Sequence, residues 1–342
     1  MNEEEIRPEA DLLVPSKKPV WLFVVIGLII IVGVGILTYS LGKAKPAKNS
    51  DDSIIKTENE TKDLPAATSV DDSPYNWSTM DQGPYNDKIS YATSTDLLNW
   101  KDSGKILATH ASVPDLVMKD GTIFAYFVDV STDGVAEQTG MVKSTDGGIT
   151  WSERQIINIE GIGDKAVADP APILLSDGRI RLFYFDIKEN RIRKQKGPST
   201  NKIYSAISSD GVNFTQEDGV RFEYEMVFDP DVIKISDNLW RMYVGDGEGQ
   251  KVLSATSTDG LTFTYEGIAF SGGAIPNVIF ENNRYYLFTV GIEISTSPDG
   301  KIFTKAPNRF DSGKLTADPG VIKIAEGKYL MVYKTSEMKP KI

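Results

Sequence analysis

The chain has 342 residues, of which 40% are hydrophobic and 25% charged, with no cysteine, one histidine and a formal net charge of −11. This balance is typical of a globular protein and excludes a wholly disordered chain. Without cysteine there is no disulfide framework, zinc–thiolate site, iron–sulfur cluster or cysteine nucleophile, and one imidazole excludes any site that needs two. The acidic balance argues against a nucleic-acid partner, because no basic stripe is present to release phosphate counterions.

The first predicted element is a transmembrane anchor at residues 20–41, which follows a short N-terminal tail at residues 1–19. The run VWLFVVIGLIIIVGVGILTYSL carries no charge. As a helix it would span about 33 Å, against a hydrocarbon core of about 30 Å. A cleaved signal peptide is the alternative, but the run is too long for one and no small-residue cleavage pattern follows it. We therefore predict a single-pass anchor in the cell membrane.

Residues 42–75 are predicted to be a disordered linker, because they are rich in charged and small polar residues and show no apolar period. Basic residues lie on both sides of the span, so their count does not decide its orientation. A short tail followed by a large C-terminal domain is typical of export. We expect the domain after the linker to be extracytoplasmic.

The region from residue 76 repeats two units, each five times. One unit is a Ser-x-Asp turn after an alternating β-type run, a strong hairpin signal where Asp-Gly occurs. Its copies are STDLLNW (94–100), STDGGITW (144–151), SSDGVNF (208–214), STDGLTF (257–263) and SPDGKIF (297–303). The other unit is a proline-led apolar strand, a turn and an aromatic-rich strand. Its copies occupy 113–129, 169–186, 229–246, 275–290 and 318–335.

Two hairpins per repeat predict four-stranded sheets, and sheets repeating at this spacing are typical of β-propeller blades. The first unit along the chain is a Ser-x-Asp hairpin, and the last is a proline-led hairpin. The N-terminal hairpin is therefore predicted to complete the last blade, which removes the open edge of a linear array. The fold class is all-β, a five-bladed β-propeller of four-stranded blades over residues 76–342.

The residues that open the proline-led units are predicted to converge at one mouth of the central channel. They are Val113, Asp169, Asp229, Ile275 and Asp318. Asp115 and Asp231 follow two positions later, on the same face by strand alternation. A ring of carboxylates suits acid–base work on a glycosidic bond or binding of a hard cation such as calcium. The alternative is structural, with each Asp-Pro turn capping nearby backbone amides.

Two further residues are candidate substrate contacts at this mouth. Asn277 follows the fourth proline, and His110 lies three residues before Val113. A lone histidine is more often a hydrogen-bonded structural residue, and one imidazole specifies no metal. The identity of any metal is therefore left open.

The proline-led hairpins resemble those of the five-bladed glycoside hydrolases, the arabinanase, levansucrase and invertase group, and family 43 most of all. The segment FDPDVIKISDNLWRMYVGD at 228–246 looks like the family's Asp-Pro, turn and aromatic strand. In that family this Asp orients and tunes the catalytic acid. The resemblance therefore implies the tuning role for Asp229.

Two of the three carboxylates that the family implies are not matched. Val113-Pro114 stands where the family has the Asp-Pro of its general base, and Ala274-Ile275-Pro276 lacks the Glu of its acid. Hydrolysis requires a protonated carboxylic acid and a second carboxylate. A shifted assignment stays open, with Asp169 or Asp318 as the base and Glu225 or Glu293 as the acid.

The Ser-x-Asp units resemble the Asp box of sialidases, which in that family is an outer turn far from the active site. No proline-led unit opens with the arginine that a sialidase needs, so the resemblance indicates a propeller and not that activity. The five carboxylates are predicted to stabilise tight turns by accepting hydrogen bonds from backbone amides. They belong to Asp96, Asp146, Asp210, Asp259 and Asp299.

Two functions follow as hypotheses. The first is a membrane-anchored, glycoside-hydrolase-like propeller that acts on or binds a glycan at the channel mouth. The second is a non-catalytic relative that uses the mouth to bind a carbohydrate or a surface protein.

Overall fold

A computed structural model describes residues 86–132, 137–189 and 200–336 of the chain. These residues form five sheets, the blades of a propeller, and confirm the predicted all-β fold. The predicted tail at 1–19, anchor at 20–41 and linker at 42–75 lie outside the described residues. In the ranges that the structure does describe, no helix is long and apolar enough to cross a membrane.

The first hairpin of the propeller and the first complete blade come from residues 88–156. The hairpin strands are β1 (Lys88–Ser94) and β2 (Trp100–Thr109). Blade I follows with strand order β3-β4-β5-β6. Its strands are β3 (Ala111–Lys119), β4 (Thr122–Asp129), β5 (Gln138–Ser144) and β6 (Gln155–Ile156).

Blade II is larger than the four strands predicted for it. Its strands are β7 (Asn158–Glu160), β8 (Val167–Leu174), β9 (Ile180–Asp186), β10 (Thr200–Ser208), β11 (Asn213–Gln216) and β12 (Phe222–Glu225). Strands β8 to β11 form the expected meander. In addition, β7 pairs with β11 in parallel, and β12 pairs with the start of β10.

Blades III and IV each have four strands in chain order. Blade III comprises β13 (Phe228–Ser236), β14 (Leu239–Gly245), β15 (Lys251–Ser257) and β16 (Thr264–Ser271). Blade IV comprises β17 (Asn277–Glu281), β18 (Arg284–Thr289), β19 (Glu293–Ser297) and β20 (Thr304–Arg309).

Blade V closes the ring with both ends of the described chain. It joins β21 (Leu315–Ala325) and β22 (Lys328–Ser336) to the N-terminal hairpin in the order β21-β22-β1-β2. Strand β1 pairs with β22 in unbroken antiparallel register from Lys88–Thr335 to Ser94–Tyr329. The predicted closure by the N-terminal hairpin is therefore confirmed.

The core lies between the blades, because each sheet packs both of its faces against neighbouring sheets. Central strands are therefore apolar on both faces, and all seven residues of β9 (IRLFYFD) are buried. Tyr126 of blade I packs with Tyr184 and Phe214 of blade II in one such cluster. This two-sided burial explains why the second strands lack polar alternation.

The Ser-x-Asp turns are built as predicted, by side chains that accept hydrogen bonds from backbone amides. In blade II, Ser208 Oγ accepts from the amide of Gly211 at 2.9 Å, and Asp210 Oδ1 accepts from those of Val212 and Asn213 at 2.8 Å each. Asp96, Asp146, Asp259 and Asp299 also accept from turn amides. The hydroxyl of Tyr126 in blade I donates to the Gly211 carbonyl at 2.7 Å, so the turn also joins two blades.

Candidate functional site

The five residues that open the proline-led units meet around one small cavity at the mouth of the channel. The cavity has a volume of about 20 Å³. It is lined by these five residues, by the prolines that follow them, and by Asp115 and Asn277. The five are Val113, Asp169, Asp229, Ile275 and Asp318. The predicted convergence is thus present in the structure, in a space that holds about one water molecule.

The backbone directs these five side chains toward the cavity. Each of the five residues has a left-handed φ, between 47° for Val113 and 59° for Ile275. Four of the first strands shift register at this point, as between Ser112 and Asp115 in β3. Such bulges change the direction of a side chain beside functional sites, and a β-branched residue with positive φ is uncommon. The simple strand alternation assumed in the sequence analysis is therefore interrupted here.

Asp169 and Asp229 form a hydrogen-bonded carboxyl pair at the mouth. Both residues are half-buried, their side chains hydrogen-bond to each other, and the amide of Asp229 donates to Asp169 Oδ2 at 3.4 Å. Burial and the neighbouring charge of Asp318 raise the pKa of Asp229 to about 7. Burial and the charge of Asp229 raise the pKa of Asp169 well above its usual range. The pair therefore retains a shared proton near neutral pH.

Asp318 is held by a cation that the sequence analysis did not identify. Lys334 Nζ lies 2.8 Å from Asp318 Oδ2 and 3.9 Å from Asp87 Oδ2. Ser112 Oγ is 3.3 Å from the same two carboxylate oxygens. Burial alone would lower the pKa of Lys334. The negative charges of Asp318 and Asp87 raise it by a larger amount, so the net shift of the pKa is upward. Burial raises the pKa of Asp87 to about 6.

No repeat pattern indicates Lys334 or Asp87 as part of the mouth. Lys334 pairs with Ala317 across β21 and β22, and the corresponding positions of the other blades are not basic. They are Val128, Phe185, Gly245 and Val290. Asp87 precedes the first repeat. Only ring closure brings both residues to the site.

The residues after the prolines fill the channel behind the mouth. Asp231 Oδ2 accepts from the amide of Val278 in the next blade at 2.6 Å. Asn277 Oδ1 accepts likewise from Val321 at 2.9 Å, and its Nδ2 donates to Asp115 Oδ1 at 3.2 Å across the channel. These side chains satisfy amides on the inner strand edges, which would otherwise be buried without partners.

The identities of these residues are linked from blade to blade. In blades II and V the residue after the proline is Ala171 or Gly320, which has no side-chain oxygen to accept a hydrogen bond from the next blade. The Asp of that next blade then accepts from its own strand, as Asp115 Oδ1 does from Leu116 at 2.7 Å. Gly320 is also required sterically, because a Cβ there would lie 2.6 Å from the Asp115 Cα. Burial raises the pKa of Asp231 to about 7, and burial together with Asp231 raises the pKa of Asp115.

The polar side chains in the channel mostly have hydrogen-bond partners from the protein itself. Oxygens of Asp115, Asp231 and Asn277 already accept from backbone amides or side chains. Within the described ranges, no three or more histidine and carboxylate side chains are grouped so as to hold a metal. His110 is not among the cavity residues, and its carbonyl accepts from the amide of Val130 at 3.0 Å. Calcium therefore stays a prediction without an identified site.

The two glutamates of the shifted assignment lie away from the cavity lining. Glu225 is exposed at the end of β12, and Glu293 Oε2 lies 2.9 Å from Lys305 Nζ at the start of β19. Ala274, at the position that matches the family's acid, is buried. Among the described residues, the carboxylates at the cavity are aspartates.

Comparison with solved structures identifies the fold. A thermostable family-43 glycoside hydrolase aligns with a TM-score of 0.51 at 13% identity, over 66% of this chain and 88% of that one. The fold is that of the five-bladed propeller glycoside hydrolases. A sucrose-bound variant of the Bombyx mori family-32 β-fructofuranosidase aligns with a TM-score of 0.50 at 16% identity, over 64% of this chain and 54% of that one.

The present chain thus spans about half the length of the silkworm enzyme that it resembles. A family-117 glycoside hydrolase from Zobellia galactanivorans also aligns, at 14% identity over 72% of this chain and 84% of that one, with a TM-score of 0.44. No protein-family model and no curated protein matches the sequence.

Proposed function

We propose that this protein is a carbohydrate-binding propeller that holds a glycan at the channel mouth and has lost hydrolytic activity. The convergence of Asp169, Asp229 and Asp318 from three blades on one mouth carries this proposal. Asp169 and Asp229 are partly exposed there, and carboxylates form strong, charge-assisted hydrogen bonds with hydroxyl groups. Because the cavity holds only about one water molecule, the sugar would lie over the opening and direct its hydroxyls toward these carboxylates.

The spacing of the carboxyl pair argues against hydrolysis. Glycosidases hold their two carboxyl groups about 5–5.5 Å apart when retaining and about 6.5–9.5 Å apart when inverting. The side chains of Asp169 and Asp229 hydrogen-bond directly to each other, which is a closer arrangement than either class of glycosidase uses. That pair leaves no room for a sugar carbon or a water molecule between its carboxyl groups.

Hydrolysis is the second candidate function, because of one observation. The pKa of Asp229 is raised to about 7, which is the value that a general acid needs at neutral pH. In that case Asp229 would protonate the leaving group, and Asp169 or Asp318 would serve as the base after the pair had separated.

We also propose that residues 20–41 anchor the chain in the membrane and that the propeller is extracytoplasmic. The length of the uncharged run supports the anchor, and the large domain after it supports export. The ligand would then be a glycan at the cell surface, with a surface protein as the alternative partner.

A screen of the full-length protein in detergent tests the function. Glycan-array binding and turnover of chromogenic arabinosides, xylosides and fructosides are measured with calcium and with chelator. Binding without turnover is expected. Turnover that is lost in Asp229→Asn would replace the binding proposal with the hydrolytic one, and a requirement for calcium would add the ion. Absence of both binding and turnover would contradict both functions.

A further inference from the structure

Three aromatic rings form a stack that crosses from blade II to blade III. Phe222 and Tyr224 of β12 have ring centroids 5.8 Å apart and planes within 5° of parallel. Tyr224 and Tyr265 of β16 are 4.7 Å apart and within 16° of parallel. The two strands belong to different sheets, so the stack joins the outer parts of two neighbouring blades.

The stack runs from the core to the surface. Phe222 is 4% exposed, Tyr224 is half-buried and Tyr265 is 39% exposed. The Phe263 amide donates to the Arg221 carbonyl at 2.9 Å, which fixes the two segments side by side. The hydroxyls of Tyr224 and Tyr265 also hydrogen-bond to each other. Tyr265 is therefore a held ring, with one face covered by Tyr224 and part of its surface open to solvent.

The residues that follow Tyr265 on the same strand leave space for a ligand beside the ring. A side chain built at Gly267 would meet no other atom within 4 Å. Ile268, the next residue, is 43% exposed. The surface around the open ring is therefore not filled by the protein's own side chains.

The surroundings of the ring favour a sugar over other stacking ligands. Single-stranded nucleic acids require a basic groove beside their stacking aromatics. Here Glu223 and Glu225 are exposed on the strand of Tyr224, and the chain carries a net charge of −11. A stable protein interface needs about 1,000 Å² or more, far beyond one exposed ring. A sugar ring matches the size of this surface, with C–H groups for the aromatic face and hydroxyls for the polar rim.

We propose that Tyr265 is a second carbohydrate-binding site, which stacks one sugar ring of a glycan polymer on the flank of the propeller. This inference rests on the proposed glycan-binding function. Two sites on one chain raise the affinity for a polymer without changing the affinity of either site for a short oligosaccharide. Tyr265 therefore distinguishes long glycans from short ones.

Native affinity electrophoresis of the full-length protein in detergent tests the site, with arabinan, xylan and levan in the gels. Tyr265→Ala is expected to weaken retention by the polymer about tenfold, while Tyr265→Trp preserves it. Ile149→Ala is the control, because it removes an exposed apolar side chain from a turn of blade I, outside the stack. Binding of a disaccharide of the same sugar at the channel mouth is expected to be unchanged in all three variants.

Three outcomes overturn the inference in different ways. If Tyr265→Ala is retained like the wild type while the variant with both Asp169→Asn and Asp229→Asn is not, the mouth binds glycan and the flank does not. If none of the three polymers retains the wild type, both the second site and the glycan-binding function fail. Equal losses in Tyr265→Ala and Ile149→Ala would also contradict a stacking role.

Discussion

The raised pKa of Asp229 makes the stability of the folded protein depend on pH. Its carboxyl group has a pKa raised from 3.8 to about 7 because it is buried and lies near Asp318. In the unfolded chain the group ionises near pH 3.8, so between pH 4 and 7 the folded protein binds more protons. The stability that Asp229 contributes is therefore fully present below pH 3.8 and is lost as the pH rises through about 7.

Asp229→Asn is expected to raise the melting temperature at pH 8, because the amide replaces a carboxyl that must otherwise ionise beside other acids. The difference from the wild type should shrink or reverse at pH 5. Asp146→Asn is the control of opposite sign. Hydrogen bonds from Thr150 lower the pKa of Asp146 to about 2, so this change should lower the melting temperature at pH 8. An Asp229→Asn protein that is less stable than the wild type at pH 8 would contradict this account.

Asn277 holds the channel together through contacts with two other blades. Its amide group bonds the Val321 backbone and the Asp115 side chain. Asn277→Ala should lower the free energy of unfolding by about 1–3 kcal/mol, because it leaves a buried N–H without a partner. Asn308→Ala, which removes an exposed hydrogen bond to Asn99, should cost much less. If urea unfolding showed equal losses of stability in the two variants, the buried contacts of Asn277 would stabilise the fold no more than an exposed hydrogen bond does.

The Ser-x-Asp turn is the element that the sequence predicts best, because all of its bonds lie within a few residues. Ser208 supplies its hydroxyl to Asp210 and accepts from the amides of Asp210 and Gly211. Asp-Gly between alternating runs therefore predicts both the hairpin and its bonds. By contrast, the parallel pairing of β7 with β11 depends on a contact between segments about 55 residues apart, and no local pattern indicates it.

Ser208→Ala is expected to lower the free energy of unfolding by about 1 kcal/mol or more, since it removes the acceptor of two turn amides. The adjacent Ser209 is exposed and gives the matched control. Ser209→Ala should leave the urea midpoint nearly unchanged. Loss of stability in Ser209→Ala alone would contradict the role assigned to the turn.

At the scale of the whole molecule, ring closure builds part of the site. Blade V takes Asp318 and Lys334 from the C-terminal strands and, through its pairing with β1, brings Asp87 beside them. The repeats were sufficient to predict the blade order, the closure and the convergence of the five residues before proline. They could not predict Lys334, because the matching positions of the other blades are not basic. They could not predict the bonds across the channel either, because those depend on which side chains the other blades carry at the position after proline.

The membrane proposal predicts a defined topology for the full chain. Because the chain has no cysteine, single cysteines report position without background. In intact cells, Ser53→Cys in the linker should react with a membrane-impermeant maleimide. Ser16→Cys in the N-terminal tail should react only after permeabilisation. The reverse pattern would place the propeller in the cytoplasm, and labelling of both in intact cells would exclude a spanning anchor.

The most direct test of the account is the affinity of the full-length protein for its best array glycan, with and without Asp169→Asn and Asp229→Asn together. We predict at least a tenfold loss of affinity in this double variant, with no glycan turnover by the wild type. Asp120→Asn, on an exposed turn outside the cavity lining, should bind as the wild type does. Unchanged affinity in the double variant would show that the channel mouth is not the glycan site.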